Sequence, residues 1–186
     1  MKLLKDILYK VNLNLLHGDS SIGISHLCFD SRQVQKGSLF IALNGTLSDG
    51  HDFIEMAINS GASAIVCEKI PLNINEAVVY VLVKDSSKAL GHISANFYDN
   101  PSEKIKLVGV TGTNGKTTVA SLLHCLYQSL GHKSGLLSTV VYKIGSVSYE
   151  ATHTTPDSIQ LNSMLREMVD SGCKYCFMEV SSHAVD

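Results

Sequence analysis

The run GVTGTNGKTTVASLL, residues 109–123, places three glycines, four threonines and one lysine in its first ten positions and then turns apolar at helical spacing. A strand-like segment, IKLVGV, leads into it. A chain with that order must leave a strand, pass a turn built on backbone angles open to glycine, and enter a helix. Gly112 and Gly115 let successive N–H groups converge on one point, the helix N-terminus carries about half a positive charge, and Lys116 adds a full one. The arrangement suits a phosphate cradle formed by Gly112, Thr113, Asn114, Gly115, Lys116, Thr117 and Thr118. Lys116 reaches the outer phosphates and the Thr117 hydroxyl is placed to ligate Mg²⁺. The usual pattern has glycine where Val110 stands, and Gly109 comes one place early, so the match is to the shorter form GTNGKTT. A cradle of this kind names no reaction by itself, since switches, motors, kinases and ligases share it.

The rest of the chain sets limits around this turn. At 186 residues it suits one large or two small domains, and a core of that size buries roughly 70% of the unfolded surface. Hydrophobic residues make up 45% and charged residues 17%, a globular balance. A net charge of -2 and a supply of two arginines, Arg32 and Arg166, argue against nucleic acid as a partner. No apolar run approaches the ~18 residues of a membrane span, and the N-terminus MKLLKDILYKV carries charges where a signal peptide needs an apolar stretch. Five cysteines, set mostly in apolar runs, fit a reducing compartment. The expectation is a cytoplasmic protein, monomeric, with neither a membrane nor a nucleic-acid partner.

Two α/β patterns follow one another. In the first, Leu3, Leu4, Ile7, Leu8 and Val11 share a helical face, SHLCF and SLFIAL read as strands, and HDFIEMAINSGA reads as a helix stopped by Gly61. Strands SAIVC and AVVYVLV and the helix SSKALGHISANFY complete it. DNPSEK, residues 99–104, is polar and serves as the candidate linker, which gives domains of 1–99 and 100–186. In the second, the strand IKLVGV, a helix with Val119, Leu122, Leu123, Leu126 and Leu130 inward, and the strand GLLSTVVYKI begin a doubly wound parallel sheet. TTPDSIQLNSMLREMVDSG is a further helix with Thr155 as N-cap and Pro156 first, and KYCFMEVSSH is a strand that ends at Glu179. About three strands make a small sheet for this class, so the chain reads as the front of something longer.

Glu179 stands at the carboxyl end of a strand, where open α/β sheets gather ligands. On the residues alone it is a cation ligand, an exposed strand-end carboxylate or a cap for the next helix. Cys173 and Cys176 form a CxxC at the start of an apolar strand with no second pair, which is the setting of buried packing rather than of a zinc or redox site.

GVTGTNGKTT, THTTPD at 152–157 and MEVSSH at 178–183 together resemble the Mur ligases of peptidoglycan synthesis. FDSRQVQKGSLFIALNGTLSDGHDFIEMAINSGASAIV, residues 29–66, resembles the UDP-binding N-terminal domain of that family, so the likeness spans nearly the whole chain. TTPD and MEVSSH favour the branch that adds the third residue of the stem peptide. The resemblance implies a UDP-binding α/β domain followed by the beginning of a P-loop, parallel-sheet ATPase domain. It also implies an ATP-dependent, ADP-forming amide ligase that phosphorylates the carboxylate of UDP-N-acetylmuramoyl-dipeptide and lets an incoming amino acid attack the acyl phosphate. By the same resemblance Lys116 and Glu179 are catalytic, and Thr117 and Glu179 hold Mg²⁺. Phe29, Ser31, Thr46, Leu47, Ser48, His153, Thr154, Thr155 and Ser181 contact the UDP substrate, while Thr155 before Pro156 also reads as a helix cap. His183 is either an orienting group for Glu179 or structural. The family's lysine carbamate and C-terminal domain have no counterpart in residues 1–186, so these residues alone are expected to bind ligand weakly without turnover. A P-loop module without chemistry, another Mur-type ligase and a folylpolyglutamate synthetase are the competing readings, and the DSR-bearing first domain argues against the last.

Overall fold

The structure is a computed structural model that describes residues 1–45, 48–150 and 156–180. It divides into two compact units, Met1–Phe97 and Tyr98–Asp186.

Unit 1 contains β1 (Lys2–Leu3), α1 (Leu4–Ile7), β2 (Leu13–His17), β3 (Gly23–Ile24), β4 (His26–Cys28), β5 (Ser38–Ile41), α2 (Ile54–Asn59), β6 (Ala62–Cys67), β7 (Val79–Val83) and α3 (Ser86–Phe97). Its main sheet has the order β2-β7-β6-β5-β4, parallel except for β2, which lies antiparallel on β7. The central strands are apolar on both faces, as a sheet covered on both sides requires. Phe40, Ile65 and Tyr80 pack with Ile54 and Ala57 of α2. The expected helix over the N-terminus shrinks to the single turn of α1. Leu4, Ile7, Leu8 and Val11 are buried as the spacing requires, but Leu3 lies in β1 and is 36% exposed. Lys10, at φ 58°, turns the chain into β2, a strand the periodicity does not announce. Asn96 Nδ2 donates to Ile7 O (2.9 Å) and Tyr9 O (2.7 Å), satisfying carbonyls that so short a helix leaves open.

Unit 2 contains α4 (Pro101–Lys104), β8 (Lys106–Val110), α5 (Lys116–Ser129), β9 (Ser134–Leu137), β10 (Val141–Ile144), β11 (Val147–Glu150), α6 (Ser158–Asp170) and β12 (Tyr175–Glu179). The sheet order is β11-β10-β9-β12-β8, with β9, β12 and β8 parallel and β10 and β11 antiparallel. Alternation along the strands divides the core. Leu136 and Phe177 pack with Ala120 of α5, while Leu137 and Cys176 pack with Leu165 and Met168 of α6.

Four expectations for this unit change. The segment GLLSTVVYKI is two strands, because Ser138 folds it back: Ser138 N–H and Oγ–H both donate to Val141 O, and Val141 N–H donates to Ser138 Oγ (3.1 Å). Local hydroxyl bonds of this kind compete with a ladder. With β11 pairing on β10 through the turn at Gly145 and Ser146, the sheet has five strands rather than about three. On α5 the inward face is Ala120, Leu123, His124 and Tyr127, and Val119, Leu122, Leu126 and Leu130 are 46–64% exposed. Two apolar stripes compete there, and the one with Tyr127 is buried, its ring 4.6 Å from Tyr175 and 5.0 Å from Phe177. Finally, α6 starts at Ser158, and its N-cap is Asp157, whose carboxylate accepts from Ile159 N–H (2.8 Å) and Gln160 N–H (2.9 Å). A carboxylate accepts two amides at once, which a hydroxyl further upstream cannot match. The linker candidate at 99–104 contains α4, entered through Asp99 and Asn100 at φ 62° and 49°.

Phe177→Ala is expected to lower the stability of unit 2 by about 3–5 kcal/mol, and Asp157→Ala by about 1 kcal/mol, both read from urea unfolding. Losses of similar size for the two variants would contradict the assigned core.

Candidate functional site

The glycine turn leaves the carboxyl end of β8 and opens α5. Gly112 has φ +141° and Gly115, the N-cap of α5, has φ +81°, both in the region that favours glycine. A Cβ at Gly115 would meet nothing within 4 Å, so the backbone angle alone is what demands glycine there. Residues 111–115 are exposed. The first helical bond runs from Val119 N–H to Gly115 O (2.9 Å), which leaves the N–H groups of the first turn pointing out of the helix end. Lys116 Nζ crosses the turn and donates to Gly112 O (2.7 Å) and Thr113 O (3.4 Å). The ammonium therefore sits at the mouth of the ring of amides.

Parallel pairing brings Glu179 to this place. β12 lies beside β8 with Glu179 opposite Val110, and Val180 N–H donates to Val110 O (2.9 Å). The Glu179 backbone thus stands about one strand spacing, ~5 Å, from the strand end where the glycine turn begins. On its other side Thr139 N–H donates to Glu179 Oε1 (3.2 Å). Ser138 and Thr139, which the sequence reading had placed within a strand, belong to this row of strand ends. Their signal was a Ser-Thr pair interrupting an apolar run. No group of three or more His, Cys, Asp or Glu side chains is gathered for a metal among the described residues. A hydroxyl such as that of Thr117 and a carboxylate such as that of Glu179 are the oxygen donor types that suit Mg²⁺, which keeps waters and takes phosphate oxygens for its remaining positions.

In unit 1, Phe29 and Ser31 follow the carboxyl end of β4, and Ser48 lies in the loop that follows the adjacent parallel strand β5. Phe29 is half-exposed, Ser31 buried and Ser48 exposed. Asp30 Oδ1 accepts Arg32 N–H (3.0 Å) and caps the short turn that carries Ser31, with the Arg32 guanidinium doubly bonded to the same carboxylate. The DGH element is similarly fixed. Glu68 N–H donates to His51 Nε2 (2.8 Å), so the ring proton is on Nδ1 and points to Asp49 Oδ1 (2.5 Å). The His51 backbone N–H and then its ring hold the Asp49 carboxyl below the usual range. Thr46, Leu47, His153, Thr154, Thr155 and Ser181, together with His183, lie outside the described residues.

Cys173 and Cys176 are buried. Burial raises the Cys173 thiol and pushes Cys176 up to about 12, and it holds Cys28 and Cys67 at about 11. These are packing groups, not thiolates.

Comparison with known proteins follows the same division. A family model described as Mur ligase middle domain matches residues 110–186, and one described as Mur ligase family, catalytic domain, matches residues 23–98. The UDP-N-acetylmuramoyl-L-alanyl-D-glutamate–2,6-diaminopimelate ligase of Cytophaga hutchinsonii is 54% identical over 182 residues, covering 97% of this chain and 37% of that protein. The ligase of the same name from Bacteroides fragilis is 49% identical over 182 residues, covering 98% of this chain and 38% of its own length. The chain therefore spans a little over a third of the length of these relatives. A solved structure of a ligase of that name superposes with a TM-score of 0.76 at 23% identity, over 98% of this chain and 36% of the other. A MurF ligase from Thermotoga maritima, solved in complex with ADP, gives 0.55 at 22% identity, over 84% of this chain and 32% of the other. These two likenesses establish the fold.

A thiol reagent at pH 8 is expected to modify Cys125, which is exposed, and to reach the four buried cysteines only after unfolding. Fast reaction of two thiols in the folded chain would contradict the packing role of the CxxC pair.

Proposed function

Since the chain belongs to the Mur ligase family, with its N-terminal and middle domains, we propose that it is the nucleotide-handling part of an ATP-dependent amide ligase. The enzyme joins a third amino acid to UDP-N-acetylmuramoyl-L-alanyl-D-glutamate. The names carried by the relatives support 2,6-diaminopimelate as that amino acid, with L-lysine the other candidate. Unit 1 takes the UDP end of the acceptor through Phe29, Ser31, Thr46, Leu47 and Ser48. Unit 2 holds ATP at Gly112 through Thr118, and His153, Thr154, Thr155 and Ser181 serve the muramoyl-dipeptide portion. The work takes place in the cytoplasm and needs neither membrane nor nucleic acid; no helix of the described residues is long and apolar enough to cross a membrane.

The observation that carries this reading is the register of β8 and β12, which sets Glu179 opposite Val110 beside the glycine turn. Phosphoryl transfer asks mainly for positioning and neutralisation of charge. The amides of the turn and the first turn of α5 supply fixed donors, and Lys116 exchanges the carbonyls of Gly112 and Thr113 for phosphate oxygens. Thr117 and Glu179 would hold Mg²⁺, which when bound would supply further positive charge to neutralise the phosphate oxygens. Thr139 N–H donates to Oε1 of the Glu179 carboxylate and holds it in place, and the other oxygen is the one proposed to ligate. A carboxylate oxygen of the acceptor then attacks the terminal phosphorus of ATP, the bond to the bridging oxygen breaks and ADP leaves, giving an acyl phosphate. The neutral amino group of the incoming amino acid attacks the acyl carbon, expels inorganic phosphate and loses a proton, leaving the amide.

Lys116→Ala is expected to weaken MgATP binding about 10- to 100-fold, the equivalent of about 1.5–3 kcal/mol for a charged hydrogen bond. Binding of UDP-N-acetylmuramoyl-dipeptide should stay within about twofold by calorimetry. Unchanged MgATP affinity would overturn the assigned cradle, and absence of any UDP-substrate binding by the parent chain would overturn the ligase reading.

A further inference from the structure

Positive charge in unit 2 is concentrated at one pole. Residues 98–186 contain seven lysines and arginines, and five of them, Lys104, Lys106, Lys133, Lys143 and Lys174, line two cavities that share Lys133 as a wall. The cavities measure about 560 and 670 Å³. Sequence distance hides this gathering, and the parallel register creates it. Lys133, Lys174 and Lys106 stand at the entrances to β9, β12 and β8. Lys174 N–H donates to Lys133 O (3.0 Å), and Lys106 N–H donates to Lys174 O (2.9 Å). With strands ~4.8 Å apart, the three residues stand in a row at one end of the sheet, and all three line one cavity. The returning strand β10 adds Lys143 near the hairpin tip at Gly145 and Ser146.

Little in the fold answers that charge. Among the described residues none of the five lysines forms an ion pair, whereas Arg166 is held by Asp99 and Asp170. Among the described residues Glu103 is the one carboxylate lining either cavity. Lys133 Nζ caps α6 by donating to Ser171 O (2.5 Å), and Lys106 Nζ lies 5.4 Å over the Tyr175 ring, but neither contact supplies a full negative charge. Burial, and then the Lys143 ammonium, hold the adjoining His124 below the usual histidine range. Like charges gathered around two adjoining cavities repel one another wherever they come within a Debye length of ~8 Å, so an anion laid across them is stabilising.

We propose that this pole of unit 2 is a docking surface for a carboxylate-rich segment of a partner protein. Lysine is a point charge that suits single carboxylates, and the pole has no arginine fork for phosphodiesters. The Tyr175 ring is covered by Lys106, His132 and Tyr127, which leaves no platform on which a base could stack. Two adjoining concavities receive a narrow chain of acidic side chains and do not match a plane of headgroups. The pole lies at the amino ends of the strands, opposite the glycine turn, so this surface is independent of the proposed ligase chemistry.

The test titrates the 186-residue chain into a fluorescent peptide of about ten glutamates and follows anisotropy, with a single-stranded oligonucleotide and phosphatidylglycerol vesicles run in parallel. Saturable peptide binding that weakens at least tenfold between low and moderate salt is expected. The triple variant K106Q/K143Q/K174Q, checked by circular dichroism for folding, should lose at least tenfold, and the corresponding triple arginine variant should restore binding. No saturable peptide binding, equal binding by the glutamine variant, or tighter binding of oligonucleotide or vesicle than of peptide would overturn the proposal.

Discussion

The candidate chemistry of unit 2 depends on one parallel pairing. β8 and β12 are separated by 64 residues of chain from Val110 to Tyr175, yet their register sets Glu179 beside Val110 and fixes it with the Val180–Val110 hydrogen bond. A slip of one residue would turn the carboxylate to the other face of the sheet. The buried neighbours forbid that slip, because Cys176 and Phe177 face opposite cores, one under α6 and one under α5. Packing of apolar groups therefore determines where a charged group stands relative to the glycine turn.

The glycine turn itself was legible in the sequence because its demand is local. Gly112 and Gly115 adopt positive φ as the spacing predicts, and the helix begins at Lys116. The order of the elements next to Gly61, Gly131 and Gly172 was equally readable, since apolar runs bounded by these glycines leave few alternatives and all three have positive φ, whereas β2 and β11 were not. What the sequence could not display were choices settled by competition. α5 carries two apolar stripes of similar strength, and only the presence of Tyr175 and Phe177 on the facing strand decides for Tyr127 over Leu126. The break at Ser138 depends on hydroxyl bonds across four residues, which hydropathy does not register. Asp157 takes the cap because its carboxylate reaches two amides, a geometric fact that the string TTPDS leaves open.

The same sheet also separates charge by its polarity. At the carboxyl ends lie the amides of the turn, Lys116 and Glu179; at the amino ends lies the unpaired lysine row. A net charge of -2 for the whole chain averages this away. Unit 1 shows the opposite economy of charge. There the Asp30 carboxylate is paired with the Arg32 guanidinium and the Asp49 carboxylate accepts from the neutral His51 ring, so that both acidic groups near the strand ends already have partners.

The central claim is that the backbone amides between Gly112 and Thr118, with the Lys116 ammonium, receive the terminal phosphates of ATP. Nitrogen-15 correlation spectra recorded during a MgATP titration test it directly. The account predicts saturating shifts concentrated in the amides of Gly112 to Thr118, with smaller changes at Thr139 and Glu179. Shifts that leave the turn unmoved, or that cluster on another surface of the chain, would contradict it.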